Sequence, residues 1–462
     1  NKIAELLGVT ADSINKKLQA GWVTDDSFVP IKTVSSNEND LKDKLLQIKG
    51  VKITSTKIRS YSLGEAASQL TGYVQTITKE ELEKNEGYTS TSLIGKTGLE
   101  QKYEARLKGK NGVEIYIEDK DGKRKKTLIK QDKVDGENIK LTIDSDLQQN
   151  LYNELKNDEG LFVVMNPATG EVLALVSTPA IDVNKMVLGV TSDEWNEISN
   201  NEKTPMLARY SQKYCPGSTF KPITGGIGLS TNSLSAEDTF TYSGLSWQKD
   251  ASWGSYYVTT LHAYEPVILE NALIYSDNIY FAKAALKIGY EEMESSLTQL
   301  GFNAELPFEI KMAKSQYSNS ESIETEIQLA DSGYGQGQVL VNPLHLACIY
   351  SAFCNEGNII KPYLVYQNEV SAEYWISGAF SSETASRVLE GTKKVVNDSH
   401  GTGYAAHRDG IVLAGKTGTA EIKASKDDTS GTELGWFAVF TAEKTVERPI
   451  LIISMVEDVK GR

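Results

Sequence analysis

Histidine and cysteine are both scarce in this sequence. The four histidines, His262, His345, His400 and His407, stand apart with no H-x-x-x-H pattern, so a zinc site and a Ser-His-Asp triad are both weakly supported. The three cysteines, Cys215, Cys348 and Cys354, form no C-x-x-C pair. Their odd number excludes a fully paired intramolecular disulfide framework, and they read as buried small hydrophobes. No run of roughly 18 apolar residues occurs, so no segment reads as a membrane-spanning helix. Basic charge is also short: 48 Lys and Arg face 62 Asp and Glu, a formal net charge of −14. That argues against a nucleic-acid partner, whose phosphates need a basic face. No signal peptide is present, and the abrupt start at NKIAELLGV reads as a fragment.

What is there is a chain of 462 residues, 40% apolar and 24% charged, long enough for two or three domains. Residues 1–142 are polar and lysine-rich. Short helix candidates (IAELLG, ADSINKKLQ, KEELEKN) alternate there with short strand candidates (VEIYIED, KKTLIKQ, NIKLTID), as in an elongated α+β module. Residues 143–462 read as a second domain. DLQQNLYNELKN has helical apolar spacing, and LFVVMNPATGEVLALVSTP gives two apolar strands about a turn. Helical stretches follow (KPITGGIGLS, ILENALIYS, NIYFAKAALKIG, NPLHLACIYSAFCNEG), and LGWFAVFTA and RPILIISMVED close the chain as strands. Strands at both ends with helices between predict an α+β fold, one antiparallel sheet carrying a helical lobe.

YCPGSTFKP, residues 214–222, sets Ser218 three residues before Lys221. S-x-x-K also occurs at Ser13–Lys16 and Ser246–Lys249, so the spacing alone decides nothing. Downstream come YSDN, with Ser276 and Asn278, and AGKTGTAE, with Lys416, Thr417, Gly418 and Thr419. S-x-x-K, S-x-N and K-T-G in this order are the elements of acyl-serine enzymes that recognise penicillin. S-x-N recurs at Ser35–Asn37, Ser199–Asn201 and Ser230–Asn232, and a second K-T-G stands at Lys96–Gly98. The latter precedes every plausible nucleophile and leads into a polar helix, so it reads as structural.

The chemistry favours Ser218 independently. Residues i and i+3 share a helix face, and Pro222 keeps the helix from beginning much before Ser218. The hydroxyl then lies near a helix N-terminus, where free N–H groups favour a developing anion. Lys221 can serve as base only when neutral, which burial and a second cation, Lys416, would promote. Ser276 can relay the proton, and Asn278 can bind a substrate amide. The edge strand with Thr417 and Thr419 can dock a peptide as an added strand. Backbone N–H groups of Ser218 and Thr419 could form an oxyanion hole, worth about 3 kcal/mol per donor.

GSTFK, YSDN, DSGYGQGQVLVNPLHLA and LAGKTGTAE together resemble a class B penicillin-binding protein, a monofunctional peptidoglycan transpeptidase. WVTDDSFVPIKTV, YSLGEAASQLTGYVQ, IGKTGLEQKYEARLKGKNG and SGLSWQKDASWGSYYVT resemble the low-affinity, resistance-type branch of Gram-positive bacteria. The likeness covers essentially the whole chain. It implies a non-penicillin-binding pedestal followed by a transpeptidase domain with a five-stranded antiparallel sheet flanked by helices. It implies Ser218, Lys221, Ser276, Asn278 and Lys416 as catalytic residues, with Thr417, Gly418 and Thr419 binding substrate. No metal or organic cofactor is implied. Stem peptides of peptidoglycan are the implied substrates, β-lactams the covalent inhibitors and a glycan-polymerising synthase the partner. The implied place is the outer face of the cytoplasmic membrane, held by an N-terminal anchor not in this sequence. Low affinity implies slow acylation by benzylpenicillin and a long-lived adduct. Members of that branch also end in a helix packed on the sheet. This sequence stops at Arg462 without it, which predicts an omitted tail and one sheet face left bare.

A serine β-lactamase shares the three motifs but needs a group to activate the deacylating water. LGFNAELPFEIKMAKSQ carries Glu305 and Glu309 without the E-x-x-L-N pattern, and a lactamase leaves the pedestal unexplained. A D,D-carboxypeptidase is a second enzymatic rival. A β-lactam sensor depends on an attached transmembrane signalling segment, which is not seen here. A catalytically dead wall-binding scaffold would have no reason to retain the five catalytic candidates together. Trp247, Trp253, Tyr256 and Tyr257 either line a substrate groove or pack a surface lobe. GYGQG, with Gly333, Gly335 and Gly337, lacks a P-loop lysine and reads as a turn supporting the site. KASKDDTSGTE reads as a mobile loop between strands.

Overall fold

The computed structural model describes residues 1–21, 23–422, 431–443 and 445–461. It comprises two compact units, Asn1–Asn138 with Ala180–Leu207, and Ile139–Pro179 with Ala208–Arg462. Of the run KASKDDTSGTE, residues 423–430 lie outside the described residues.

The first unit holds the short elements expected there. Helices run Lys2–Leu7, Ala11–Leu18 and Lys79–Lys84, and Val113–Glu118 pairs antiparallel with Arg124–Gln131. The helix at Lys79 starts where Thr78 and Glu81 cap each other's backbone N–H reciprocally, satisfying two donors that a helix start leaves orphaned. The second K-T-G belongs to this unit, where Lys96 Nζ pairs with Glu81 at 2.5 Å and Gly98 opens the helix Gly98–Lys102. On sequence alone Ala180–Leu207 falls in the second domain, yet it packs here. Val183 and Met186 are buried in one cluster with Tyr61 and Tyr73. Asn184 also exchanges two hydrogen bonds with the backbone of Tyr61, at 2.8 and 3.0 Å.

The second unit is built on a five-stranded antiparallel sheet. Its strands are β1 (Gly160–Met165), β2 (Val172–Thr178), β3 (Leu413–Ile422), β4 (Thr432–Thr441) and β5 (Leu451–Val456), in the order β3-β4-β5-β1-β2. Alternation sets the faces: in β5, Leu451, Ile453 and Met455 are buried while Ile452, Ser454 and Val456 are half-buried. The other face, with Phe162, Phe437, Val439 and Ile452, is half-buried rather than bare. NIKLTID, expected as a strand, makes only one bridge, Leu141 to Val365. Thr142 is instead tied by its N–H to Leu364 O and by its hydroxyl to Val172 O.

Four helices matter for the site: α1 (Lys221–Ser230), α2 (Asn278–Ile288), α3 (Glu326–Ser332) and α4 (Ser382–Asn397). α2 is apolar on most sides, and Tyr280, Phe281 and Ala284 are buried with Leu273 and Ala330 in the lobe's core. Because β3 is an edge strand packed beside α4 and the turn Gly217–Phe220, the K-T-G segment and Ser218 meet.

Candidate active site

Ser218 sits on the 3-10 turn Gly217–Phe220, which runs directly into α1, with Pro222 in the first helical turn. Proline costs no hydrogen bond there, because the first N–H groups of a helix have no internal partner. Backbone contacts fix the turn from several sides. Gly217 N–H donates to Gly335 O at 2.9 Å, Tyr350 Oη–H to Thr219 O at 2.6 Å, and Trp436 Nε1–H to Cys215 O at 3.0 Å. Gly335 has φ +74, and a Cβ there would lie 2.2 Å from Gly217 O. Gly217 has φ +52, and a Cβ would lie 2.4 Å from Thr419 O. Only glycine meets both demands. GYGQG is thus a turn that supports the serine. Gly335→Ala combines the cost of a left-handed non-glycine residue, about 1–2 kcal/mol, with a backbone clash. Its melting temperature is expected to fall by several degrees, and calorimetry measures that directly.

Ser276 and Asn278 stand at a corner between two helices. The helix Leu269–Ile274 ends with Ser276 N–H on Leu273 O at 3.2 Å and Asp277 N–H on Ala272 O at 2.9 Å. That double bond pattern requires a left-handed residue at Ser276, whose φ is +54. Glycine is the usual occupant of such a position. Asp277 then caps α2, its Oδ1 accepting Ile279 N–H at 2.8 Å, and Asn278 is the first helical residue.

Two buried lysines converge on this corner. Lys221 Nζ donates to Ser276 O (2.6 Å), Ser276 Oγ (3.1 Å) and Asn278 Oδ1 (2.7 Å). Lys416 Nζ reaches Ser276 Oγ at 2.9 Å and Thr417 O at 3.0 Å. Both lysines are fully buried. Burial, then the neighbouring Lys416 charge, push the Lys221 amine well below its ordinary value, with Asp277 pulling the other way. Burial brings Lys416 down to about 7. Both shifts favour the neutral amine, the form a general base needs. Ser218 is half-buried, and its hydroxyl has no hydrogen-bond partner among the described residues.

The structure thus brings Lys221, Ser276, Asn278 and Lys416 together, with Ser218 three residues before Lys221 and with Gly418 and Thr419 of β3 against the Ser218 turn. A Cβ on Gly418 would lie 3.0 Å from Thr219 N. Thr417 Oγ1 donates to Thr402 Oγ1 at 2.7 Å. Thr402 escapes sequence reasoning because nothing local marks it. Asp277 escapes too, although an Asp just before an apolar helix is an N-cap signal. Of the four lobe aromatics, Trp247, Trp253 and Tyr256 pack edge-to-face on one another, while Tyr257 is exposed. His345 is a core residue, its ring nitrogens 2.7 Å from Ser315 Oγ and 2.8 Å from Leu300 O. Cys215 Sγ–H is spent on Gly335 O, and burial raises its thiol to about 11, which makes it a poor nucleophile. Glu309 is spent on the backbone N–H groups of Leu364 and Val365.

Comparison with known proteins yields two family matches: the penicillin binding protein transpeptidase domain over residues 160–461 and the penicillin-binding protein dimerisation domain over 1–141. The chain is 42% identical to penicillin-binding protein 3 of Bacillus subtilis, over all of this chain and 68% of that protein. It is 28% identical to the peptidoglycan D,D-transpeptidase MrdA of Haemophilus influenzae, over 87% of this chain and 66% of that protein. It thus spans about two thirds of the length of these relatives. Among solved structures, a complex of penicillin-binding protein PBP2 with MreC from Helicobacter pylori matches with a TM-score of 0.79. That likeness has 22% identity, covers 99% of this chain and 86% of the other, and speaks for the fold.

Proposed function

The chain belongs to the penicillin-binding protein transpeptidases, and from that premise we propose that it cross-links peptidoglycan stem peptides through an acyl-serine at Ser218. The observation that carries this reading is the pair of buried lysines on Ser276, one of them three residues from Ser218. Ser218 Oγ attacks the carbonyl of the penultimate D-alanine, and its proton passes to neutral Lys221 directly or through Ser276. The tetrahedral oxyanion is held by the N–H groups of Ser218 and Thr419. Collapse breaks the peptide bond, and the leaving D-alanine takes the proton from the lysine ammonium. An amine of a neighbouring stem then attacks the ester, returns its proton to the base and frees Ser218, leaving one new peptide bond. Asn278 binds the substrate amide, and the edge strand carrying Thr417 and Thr419 docks the peptide as an added strand. β-Lactams acylate the same serine and stay, because water is poorly placed to attack.

Acylation is slow in this reading. Lys221 Nζ lies within hydrogen-bond distance of Ser276 O, Ser276 Oγ and Asn278 Oδ1; only an ammonium donates to all three, so it must lose a proton before it can take that of Ser218. Residues 1–142, with Ala180–Leu207 in the same compact unit, serve as the pedestal, and the rest of 143–462 forms the transpeptidase domain. A glycan-polymerising synthase is the partner this chemistry calls for, since cross-links need nascent strands. The reaction belongs outside the cytoplasmic membrane of a Gram-positive cell, with the anchor in a segment beyond this sequence.

Intact mass followed over hours with benzylpenicillin, then peptide mapping, tests the proposal. The expected result is slow growth of a stable adduct one penicillin heavier, on the peptide holding Ser218. Steady consumption of penicillin without an adduct would make the chain a lactamase instead.

A further inference from the structure

Between Ser276 and Asn278 lies a carboxylate that the mechanism above does not use. Asp277 is fully buried. Its Oδ1 caps α2, and its Oδ2 accepts two phenols, Tyr242 Oη–H and Tyr264 Oη–H, the latter at 2.7 Å. Tyr264 is itself braced by stacking on Tyr275, the residue before Ser276, with centroids 4.6 Å apart and planes at 18°. A buried carboxylate with three donors on it is satisfied and hard to move. Its two neighbours in the chain are the two side chains that grip the Lys221 amine.

We propose that Asp277, clamped by Tyr242 and Tyr264, is a positioning residue that holds Ser276 and Asn278 on the Lys221 amine. The inference rests on the reading of this site as an acyl-serine centre. Ser276 occupies a left-handed conformation that serine adopts reluctantly, and such a conformation persists only where surrounding structure over-determines it. The Asp277 backbone N–H on Ala272 O and its side chain on Ile279 N–H fix the residue immediately after Ser276. The phenols fix the carboxylate against the lobe. Asn278 is held from its other end as well, its Nδ2–H donating to Thr259 O at 3.0 Å. With the amide so oriented, Oδ1 is the atom turned to Lys221.

The clamp also has a charge. The groups around Lys221 and Asp277 are the Lys416 amine from β3, the phenols of Tyr242 and Tyr264, and the Tyr280 phenol from α2. Lys416 disfavours the Lys221 ammonium, and Asp277 favours it. Removing the carboxylate's charge therefore lets Lys221 stay neutral to lower pH, and the acid limb of the acylation profile moves down. Removing the phenols leaves that charge in place and loosens only the geometry.

The experiment compares the parent chain with Asp277→Asn and with the double variant Tyr242→Phe/Tyr264→Phe, using benzylpenicillin from pH 5 to 9. Active protein is counted from the long-lived adduct, so losses of folded material drop out. Expected is an acylation step slowed about tenfold or more in both variants, with an unchanged noncovalent Kd for the penicillin. Asp277→Asn is expected to shift its acid limb to lower pH, while the double variant keeps the parent's. An unmoved limb in Asp277→Asn overturns the proposal, as does acylation per active site at the parent's rate. If Asp277→Asn does not fold, the double variant decides by its acylation step alone. A parent chain that forms no adduct overturns the acyl-serine reading and this inference with it.

Discussion

Replacing Lys221 with methionine is expected to slow acylation by benzylpenicillin about 10³-fold, the range in which a positioned base contributes. Methionine fills the buried volume of the lysine stem without its amine, so the core around α1 is kept. What disappears is the proposed base, three residues from Ser218. Stopped-flow or mass-resolved rates across pH separate this from a packing defect. In the parent chain acylation falls as pH drops, because both amines become protonated on that side of their depressed values. In Lys221→Met the residual rate loses the part of that dependence due to Lys221. A variant that acylates within about fivefold of the parent would remove lysine from the role of base, since even modest proton-transfer catalysis exceeds that.

Lys416→Met is expected to separate function from stability. Burial holds the Lys416 amine at about 7 in the folded chain, against about 10.4 unfolded. The unfolded state therefore binds the proton more tightly than the native state does. That difference destabilises the fold fully below pH ~7 and fades as pH rises towards ~10, where both states are neutral. Methionine removes the penalty. The variant should melt higher than the parent by about 5 °C at pH 6, with the gain shrinking at pH 9. Acylation should drop about 10²-fold, since Ser276 Oγ loses one of its two lysine partners. Calorimetry at the two pH values checks the sign. A variant that melts lower at pH 6 would mean that the amine's hydrogen bonds to Ser276 and Thr417 outweigh its desolvation.

Much of this site is legible in the sequence because its chemistry depends on short spacings. Ser218 and Lys221 are one turn apart, Ser276 and Asn278 flank a single residue, and Lys416 precedes an edge strand. Each constraint is local, and the three occur in order. The strands are equally legible where apolar alternation runs for five or more residues, as in β4 and β5. Legibility fails where long-range partners decide. NIKLTID alternates like a strand, but Leu364 and Val365 offer it one bridge rather than a ladder. Ala180–Leu207 carries no mark of its partners, since Val183 and Met186 need Tyr61 and Tyr73 from far upstream. α4, with SETASRVLEGTKKVVN, is polar enough to pass for a linker, although Val388, Val395 and Val396 are buried. Thr402 meets Thr417 only because β3 packs beside α4 and the loop after it.

The order of strands in the sheet has a consequence for how the chain acquires its shape. β5, residues 451–456, lies between β4 and β1, and β1 is residues 160–165. The hairpin β1–β2 emerges first during synthesis and must wait for nearly the whole remaining domain before its open edge is paired. Until then Leu161, Val163 and Val164, all fully buried in the end, sit on a strand edge free to join another chain. Such distant pairing makes folding slow, and a nascent chain stopped short of residue 451 is a seed for aggregation rather than a partial enzyme.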